Sequence, residues 1–318
     1  MTNIIDYRNG IIAIDAGYVQ PQIAAIHLVK QGDQAAIIDT GVNSSVPAVL
    51  QGLASVGLRP EQVVYVILTH IHLDHAGGTG ELMQHLPNAQ LLVHPRGSRH
   101  MINPERLIAG TIAVYGQEKT TELYGTIQPI AADRVTETHH EEVVLLNGRE
   151  LLLLHTPGHA LHHQCIVDRQ TGHIFSGDTF GLSYRQLDRD GRQFILATTT
   201  PVHFDPEALH QSVDLIAAFS PEAIYLTHYS QIRDIPRLHS ELKACMDAYV
   251  DIALKANGSG GERVACIKQG IAAWVREQAQ RQNWQLQGDA ALKFLSMDID
   301  LNAQGLNTWL ERSAAPQK

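Results

Sequence analysis

An apolar run, Val63 to Leu68, breaks directly into Thr69-His70-Ile71-His72-Leu73-Asp74-His75-Ala76-Gly77-Gly78. Four side chains able to bind a metal fall within six residues. On a helix only residues three or four apart are neighbours, so His70 and His72 would face different ways. They converge only on a loop at the end of a strand, and any fold for this chain must supply that strand and loop.

The pattern of a β-type run ending in a polar side chain recurs three times. Leu151 to Pro157 leads to Gly158-His159, Ile174 to Ser176 to Gly177-Asp178, and Ala223 to Thr227 to His228. Strand ends deliver such residues to one sheet edge, which makes His70, His72, Asp74, His75, His159, Asp178 and His228 candidate ligands. Imidazole nitrogen and carboxylate oxygen suit zinc, iron or manganese, and the lack of a nearby cysteine points to a catalytic site rather than a structural one. Cys165, Cys245 and Cys266 are odd in number and form no CxxC pair, which argues against a disulfide framework or a zinc ribbon.

Strand-like runs fill the first two thirds of the chain: Ile11 to Ala16, Ile23 to Val29, Ala35 to Asp39, Val63 to Thr69, Gln90 to His94, Val143 to Leu146, Glu150 to His155, Gln164 to Asp168 and Ala223 to Thr227. Ser45 to Val56, Gly80 to Leu86 and Pro206 to Phe219 have helical apolar spacing, the last capped by Asp205 before a first-turn proline. Met101 to Gly125 reads as a helical insertion. Its Met101, Leu107, Ile108, Ile112 and Tyr115 are expected to pack in the core, with a lip over a cleft as the alternative. Beyond Asp234 the rhythm turns helical: Pro236 to Ala256, Glu262 to Gln282, Gly288 to Leu295 and Leu301 to Arg312. Within the first of these, Leu238, Leu242, Met246, Tyr249, Val250 and Leu254 are expected to form one buried face. The expected domains are a catalytic domain over residues 1–235 and a helical extension packed on it over 236–318.

The HxHxDH segment with downstream His, Asp and His resembles the metallo-β-lactamase superfamily, and Ile38-Asp39-Thr40-Gly41 resembles its upstream DTG turn. The resemblance implies an α/β fold, a four-layer αββα sandwich of two mixed sheets, here followed by a C-terminal helical extension. It further implies two divalent metal ions per chain, zinc first, with iron or manganese as alternatives. His70, His72 and His159 would hold one, Asp74, His75 and His228 the other, and Asp178 would bridge them. Asp39 would support the metal loop from behind or cap a turn, and His163 resembles a recurring histidine behind the ligands. The interval from Asp178 to His228 is too short for the extra domain of RNA-processing members. The pattern is closer to the glyoxalase II-like and quinolone-signal thioesterase-like branches.

The activity this implies is that of a metal-dependent hydrolase in which metal-activated water, oriented by Asp74 as the catalytic carboxylate, cleaves a small ester-like substrate. A thioester or lactone comes first and a phosphodiester second. A regulatory or ligand-binding member that keeps the metal site, and a di-iron oxidoreductase on the same fold, are the competing classes. With 24 Lys and Arg against 33 Asp and Glu, the net charge of −9 argues against nucleic-acid and membrane partners. A small-molecule substrate, a cytoplasmic location given no signal-peptide pattern, and a helical end that roofs the cleft and selects substrates, with a homodimer as the runner-up and packing remote from the cleft as the alternative, complete the expectations.

Overall fold

The computed structural model describes residues 3–199 and 202–314. The chain divides into two compact units, each discontinuous in sequence. The first comprises the described residues up to His155, with His162–Gly177 and Pro221–Gln231, and the second comprises Thr156–Leu161, the described part of Asp178–Ser220, and the chain from Ile232 onward.

The first unit holds two sheets. Seven strands, β1 (Ile4–Asp6), β2 (Ile11–Asp15), β3 (Ala25–Gln31), β4 (Gln34–Ile38), β5 (Val63–Ile67), β6 (Gln90–Val93) and β7 (Val135–Glu137), lie side by side in chain order. The pairs from β1 to β4 are antiparallel and those from β4 to β7 parallel. Each parallel step needs a crossover. Val46–Ser55 spans the first, Leu73–Ala76 and Thr79–His85 the second, and Pro95–Ile102, Glu105–Tyr115 and Gln117–Tyr124 the third.

The second sheet comprises β8 (Glu142–Leu146), β9 (Arg149–His155), β10 (Gln164–Asp168), β11 (His173–Gly177), β12 (Ile224–Leu226) and β13 (Ser230–Ile232), in the order β13-β12-β11-β10-β9-β8. β11 and β12 are parallel, whereas β8 to β11 pair antiparallel. The sheets meet through Ile11, Val29, Ala36, Ile38, Ile67 and Leu92 from one, and Leu151, Leu153, Ile166, Phe175 and Tyr225 from the other. These alternate with residues facing the opposite way, as a pleated strand requires. Ile12, Ile14, Ile26, Leu28 and Ile37 on the outer face of the first sheet are buried too. Burial on both faces is why its strands read as nearly unbroken apolar runs.

At the end where β9 starts, Arg149 and Asp168 form a fully buried ion pair, with Arg149 Nε donating to Asp168 Oδ1 at 2.9 Å and Nη1 to the Asn9 carbonyl at 2.8 Å. The bidentate contact and added carbonyls satisfy charges that would be costly alone. The opposite end, where β4, β5, β6, β11 and β12 all terminate, is where parallel strands present binding residues.

In the second unit, Gly260–Arg281 packs along Ser296–Ala314, and Ile235–Lys255 packs on Pro206–Ala218. The buried stripe of Ile235–Lys255 runs Leu238, Leu242, Cys245, Met246, Tyr249 and Ala253. This corrects the face expected from sequence, since Leu254 is 62% exposed and Val250 only half-buried. Each residue turns the helix about 100°, so a stripe passing through Tyr249 and Ala253 leaves Leu254 outside. Among the described residues no helix is long and apolar enough to cross a membrane.

Candidate metal centre

β4 ends in a turn that gives Asp39 a left-handed backbone with φ of 56°. The carboxylate of Asp39, 1% exposed, then becomes a hub. Oδ1 accepts from the Thr69 backbone N at 2.8 Å, and Oδ2 accepts from Thr227 Oγ1 at 2.8 Å and bonds His75 Nδ1 at 2.9 Å. Thr69 Oγ1 adds a contact to each oxygen. One buried carboxylate thereby ties together the ends of β4, β5 and β12. Thr40 next to it donates through N and Oγ1 to the His75 carbonyl at 2.7 and 3.0 Å, fixing the other side of the same residue.

The histidines inherit defined tautomers from these contacts. A carboxylate or carbonyl can only accept, so the ring nitrogen facing it carries the proton and the other nitrogen keeps its lone pair. His75 gives Nδ1–H to Asp39, and His228 gives Nδ1–H to the Ile23 carbonyl at 2.8 Å. Their Nε2 atoms lie 3.7 and 3.3 Å from Asp74 Oδ2. Asp74, His75 and His228 form a group whose ligand atoms all lie within 4.8 Å of one another. A shared ion with bonds of about 2.0–2.2 Å spans such separations, so the donor set fits a divalent cation.

In the same unit His70 Nε2 lies 2.9 Å from His72 Nδ1, and His70 Nδ1 faces Thr69 Oγ1 at 3.2 Å. His163 stacks on His70 with ring centroids 4.9 Å apart, and His162 meets the His72 ring edge-on at 5.5 Å. Gly177 makes this stack possible, because a Cβ there would sit 2.6 Å from Thr69 Oγ1 and 2.7 Å from His163 Nε2.

In the second unit, His159 and Asp178 face each other, Nε2 to Oδ2, at 3.5 Å. His159 gives Nδ1–H to the Thr198 carbonyl at 3.3 Å, so its Nε2 is also the bare nitrogen. Tyr184 donates its hydroxyl to Asp298 at 3.0 Å and Arg185 pairs with Asp188 at 3.1 Å.

Several residues of this neighbourhood were not singled out by sequence reasoning. Thr69 and Thr227 each precede a ligand-type histidine at a strand end, and that repeated Thr-His pair was the available signal. His27 is buried between the sheets against Ser230 Oγ at 3.1 Å. Burial pushes its pKa down to about 4 against the opposing pull of Asp39. Tyr18 and Tyr124 share a hydrogen bond at 3.0 Å, and burial followed by the Asp74 charge raises the Tyr124 pKa far above the ordinary phenol value. In the insertion, Met101 is buried, but the helix Glu105–Tyr115 has no fully buried residue, and Leu107, Ile108, Ile112 and Tyr115 are half-covered.

The profile of the Metallo-beta-lactamase superfamily matches residues 19–228, from the loop before β3 to the last of these histidines. The chain belongs to this superfamily. The superfamily protein ST1585 of Sulfurisphaera tokodaii is 26% identical over 69% of this chain and 78% of its own length. The crystal structure of ST1585 superposes with a TM-score of 0.66 at 24% identity, covering 93% of this chain and 98% of that one. The mixed α/β architecture with two sheets and a C-terminal helical region is thus the metallo-β-lactamase fold. An atrochrysone carboxyl ACP thioesterase of Aspergillus chevalieri is 27% identical over 53% of this chain. A hydroxyacylglutathione hydrolase of Xanthomonas campestris is 29% identical over 48%. The matches span 44% of each of those two relatives, less than half their lengths.

Proposed function

We propose that this superfamily member is a metal-dependent hydrolase that cleaves a small ester-like substrate, a thioester or lactone before a phosphodiester. The observation that carries the reading is the shared tautomer of three histidines. His75, His228 and His159 each commit Nδ1–H to an acceptor and keep Nε2 for a ligand bond. Ordinary buried histidines have no reason to converge on that tautomer beside Asp74 and Asp178. Similarity to a thioesterase and to a hydroxyacylglutathione hydrolase supports thioesters first.

In this reading His70, His72 and His159 would hold one divalent ion and Asp74, His75 and His228 the second, with Asp178 as the ligand they would share. Zinc is the first choice, because the nitrogen and oxygen donors suit it, and iron or manganese are accepted by the same set. When bound, two such cations supply a hydroxide-like water at neutral pH and polarise the substrate oxygen. Asp74 is about one-fifth exposed, so it can hold and orient the attacking water, while Asp39 fixes His75 so that the ligand geometry does not relax. No side chain is required as a nucleophile. The site accepts a carbonyl or phosphoryl centre, and discrimination falls to the groups around it.

The test is elemental analysis of the purified protein, coupled to turnover of thioesters, lactones and phosphodiesters. About two equivalents of metal and thioester or lactone cleavage are expected. A metal-loaded protein inert to all three classes would favour a regulatory role, and flavin- or oxygen-linked redox activity would favour the di-iron class.

A further inference from the structure

The helix Ser296–Ala314 carries a buried asparagine, Asn302, 3% exposed, on the face that packs inside its own compact unit. Its side chain makes three hydrogen bonds to one loop. Oδ1 accepts from the Thr199 backbone N at 2.5 Å and from Thr199 Oγ1 at 3.0 Å, and Nδ2 donates to the Ala197 carbonyl at 3.3 Å. Thr199 Oγ1 also reaches the Asn302 carbonyl at 3.2 Å. Asn302 therefore grips the backbone on both sides of Thr198. The Thr198 carbonyl, left between these two anchored residues, is the acceptor for His159 Nδ1–H.

The other side of His159 is equally constrained. Ser212 of the helix Pro206–Ala218 donates to the Pro157 carbonyl at 2.6 Å, and the Asp205 N donates to the Gly158 carbonyl at 2.8 Å. Gly158 lies so close to Leu209 that a Cβ would come within 2.3 Å of its backbone. The ring of His159 can thus be turned chiefly through the carbonyl that Asn302 holds in place.

We infer that Asn302 is a positioning residue for the metal ligand His159, so that the C-terminal helical region serves the metal centre through the relay Asn302, Thr199 and Ala197, Thr198 carbonyl, His159. The inference rests on the proposed role of His159 as a ligand. It assigns the helical end a task other than covering substrate. Partners that orient a ligating histidine typically govern metal affinity by about 10- to 100-fold.

The experiment compares wild type, Asn302→Ala, Asn302→Asp, Thr199→Val and Leu306→Ala. Zn²⁺ affinity is read by chelator competition, and the absorption spectrum of Co²⁺-loaded protein reports ligand geometry. Leu306 is fully buried on the same helix and gives a purely structural control. Asn302→Ala should weaken one of two Zn²⁺ equivalents about 10- to 100-fold and change the Co²⁺ spectrum. Asn302→Asp, which keeps the acceptor for Thr199, should retain more affinity, and Leu306→Ala should lower thermal stability without moving either metal signal. If Asn302→Ala does not fold, Thr199→Val, which removes only the hydroxyl contacts, should still weaken that equivalent severalfold. Wild-type Zn²⁺ affinity and Co²⁺ spectrum in folded Asn302→Ala, or in Thr199→Val where only it folds, would overturn the inference, as would an equal metal loss in Leu306→Ala. A wild-type protein that binds no Zn²⁺ would instead overturn the hydrolase reading on which the inference stands.

Discussion

Two buried polar hubs support the ligand-type histidines, and they are built differently. Asp39 is a charged group at the end of β4, and it gathers Thr69 and Thr227 from the ends of β5 and β12 and His75 from the short helix Leu73–Ala76 of the same unit. Asn302 is a neutral amide in the middle of a helix, and it reaches His159 only through the backbone of Thr198. A carboxylate can act directly on an imidazole because its charge strengthens the Nδ1–H bond. An amide has no such charge, and its use here is to fix a loop whose carbonyl does the orienting. The direct hub should therefore be the more sensitive to substitution, and the indirect one the more forgiving.

The substitution with the largest effect bypasses both hubs. Asp74→Ala removes the oxygen that faces His75 and His228 while leaving the supports in place. We expect turnover to fall by about a hundredfold or more, as loss of one well-placed polar group in an active site does. Circular dichroism and thermal melting should stay close to wild type. Near-normal turnover by the folded variant would break the assignment of Asp74.

Next comes Asp39→Ala, which leaves buried donors on Thr69, Thr227 and His75 without their acceptor. Losing one member of a buried charged network costs on the order of 3–5 kcal/mol, measurable as a lower denaturant midpoint. Asp39→Asn sharpens the comparison, since it turns the charged hub into a neutral one. It should lose less stability than Asp39→Ala and still weaken Zn²⁺ binding by roughly 10- to 100-fold. An Asp39→Asn protein with wild-type metal affinity would show that charge is irrelevant to this hub.

A smaller effect concerns His27, whose pKa burial lowers from the ordinary 6.5 to about 4. Between those values the unfolded chain binds a proton that the folded chain refuses, so stability rises with pH through this window. The contribution is present above pH 6.5 and is lost as pH falls towards 4. For this residue alone the loss between pH 7 and pH 5 is on the order of 1–2 kcal/mol. Urea unfolding at both pH values should show a shallower drop in His27→Gln than in wild type, and identical drops would contradict the burial argument.

The smallest effect is expected in the insertion. Ile112 lies on the helix without a fully buried residue. Ile112→Ala should cost less than about 1 kcal/mol, because little contact is lost and alanine favours the helix. A loss comparable to that of Asp39→Ala would mean that the insertion is held as firmly as the hubs.

Sequence made the fold legible where periodicity and chemistry agreed. The run from Val63 to Leu68 ending in His70 and His72 implied a strand and a loop, and β5 ends at Ile67 just before them. Asp39 was visible because a short turn pattern marks it. Asn302 was not, since a polar residue within an amphipathic helix looks like any solvent-facing position until the loop it grips is in place. Leu254 misled for a related reason: apolar spacing locates a stripe but does not say where the neighbouring helix stops covering it. The tautomers of His75, His159 and His228 depend on carbonyls and a carboxylate far away in sequence, and no local pattern encodes them.

The order of the strands has a consequence for how the protein is made. Every strand of the first sheet comes from residues before 138, and neighbours in the sheet are neighbours in sequence. In the second sheet, β11 and its parallel partner β12 are separated by the stretch from Asp178 to Ala223. As the chain emerges from the ribosome, β1 to β7 can pair in succession, and closing this long interval is a slower, non-local step. His228 follows β12 at once, so it joins Asp74 and His75 only after that closure. A nascent chain carries the HxHxDH loop long before it can complete the Asp74, His75 and His228 cluster, and any ion held by those three residues would have to wait for β12 to join β11.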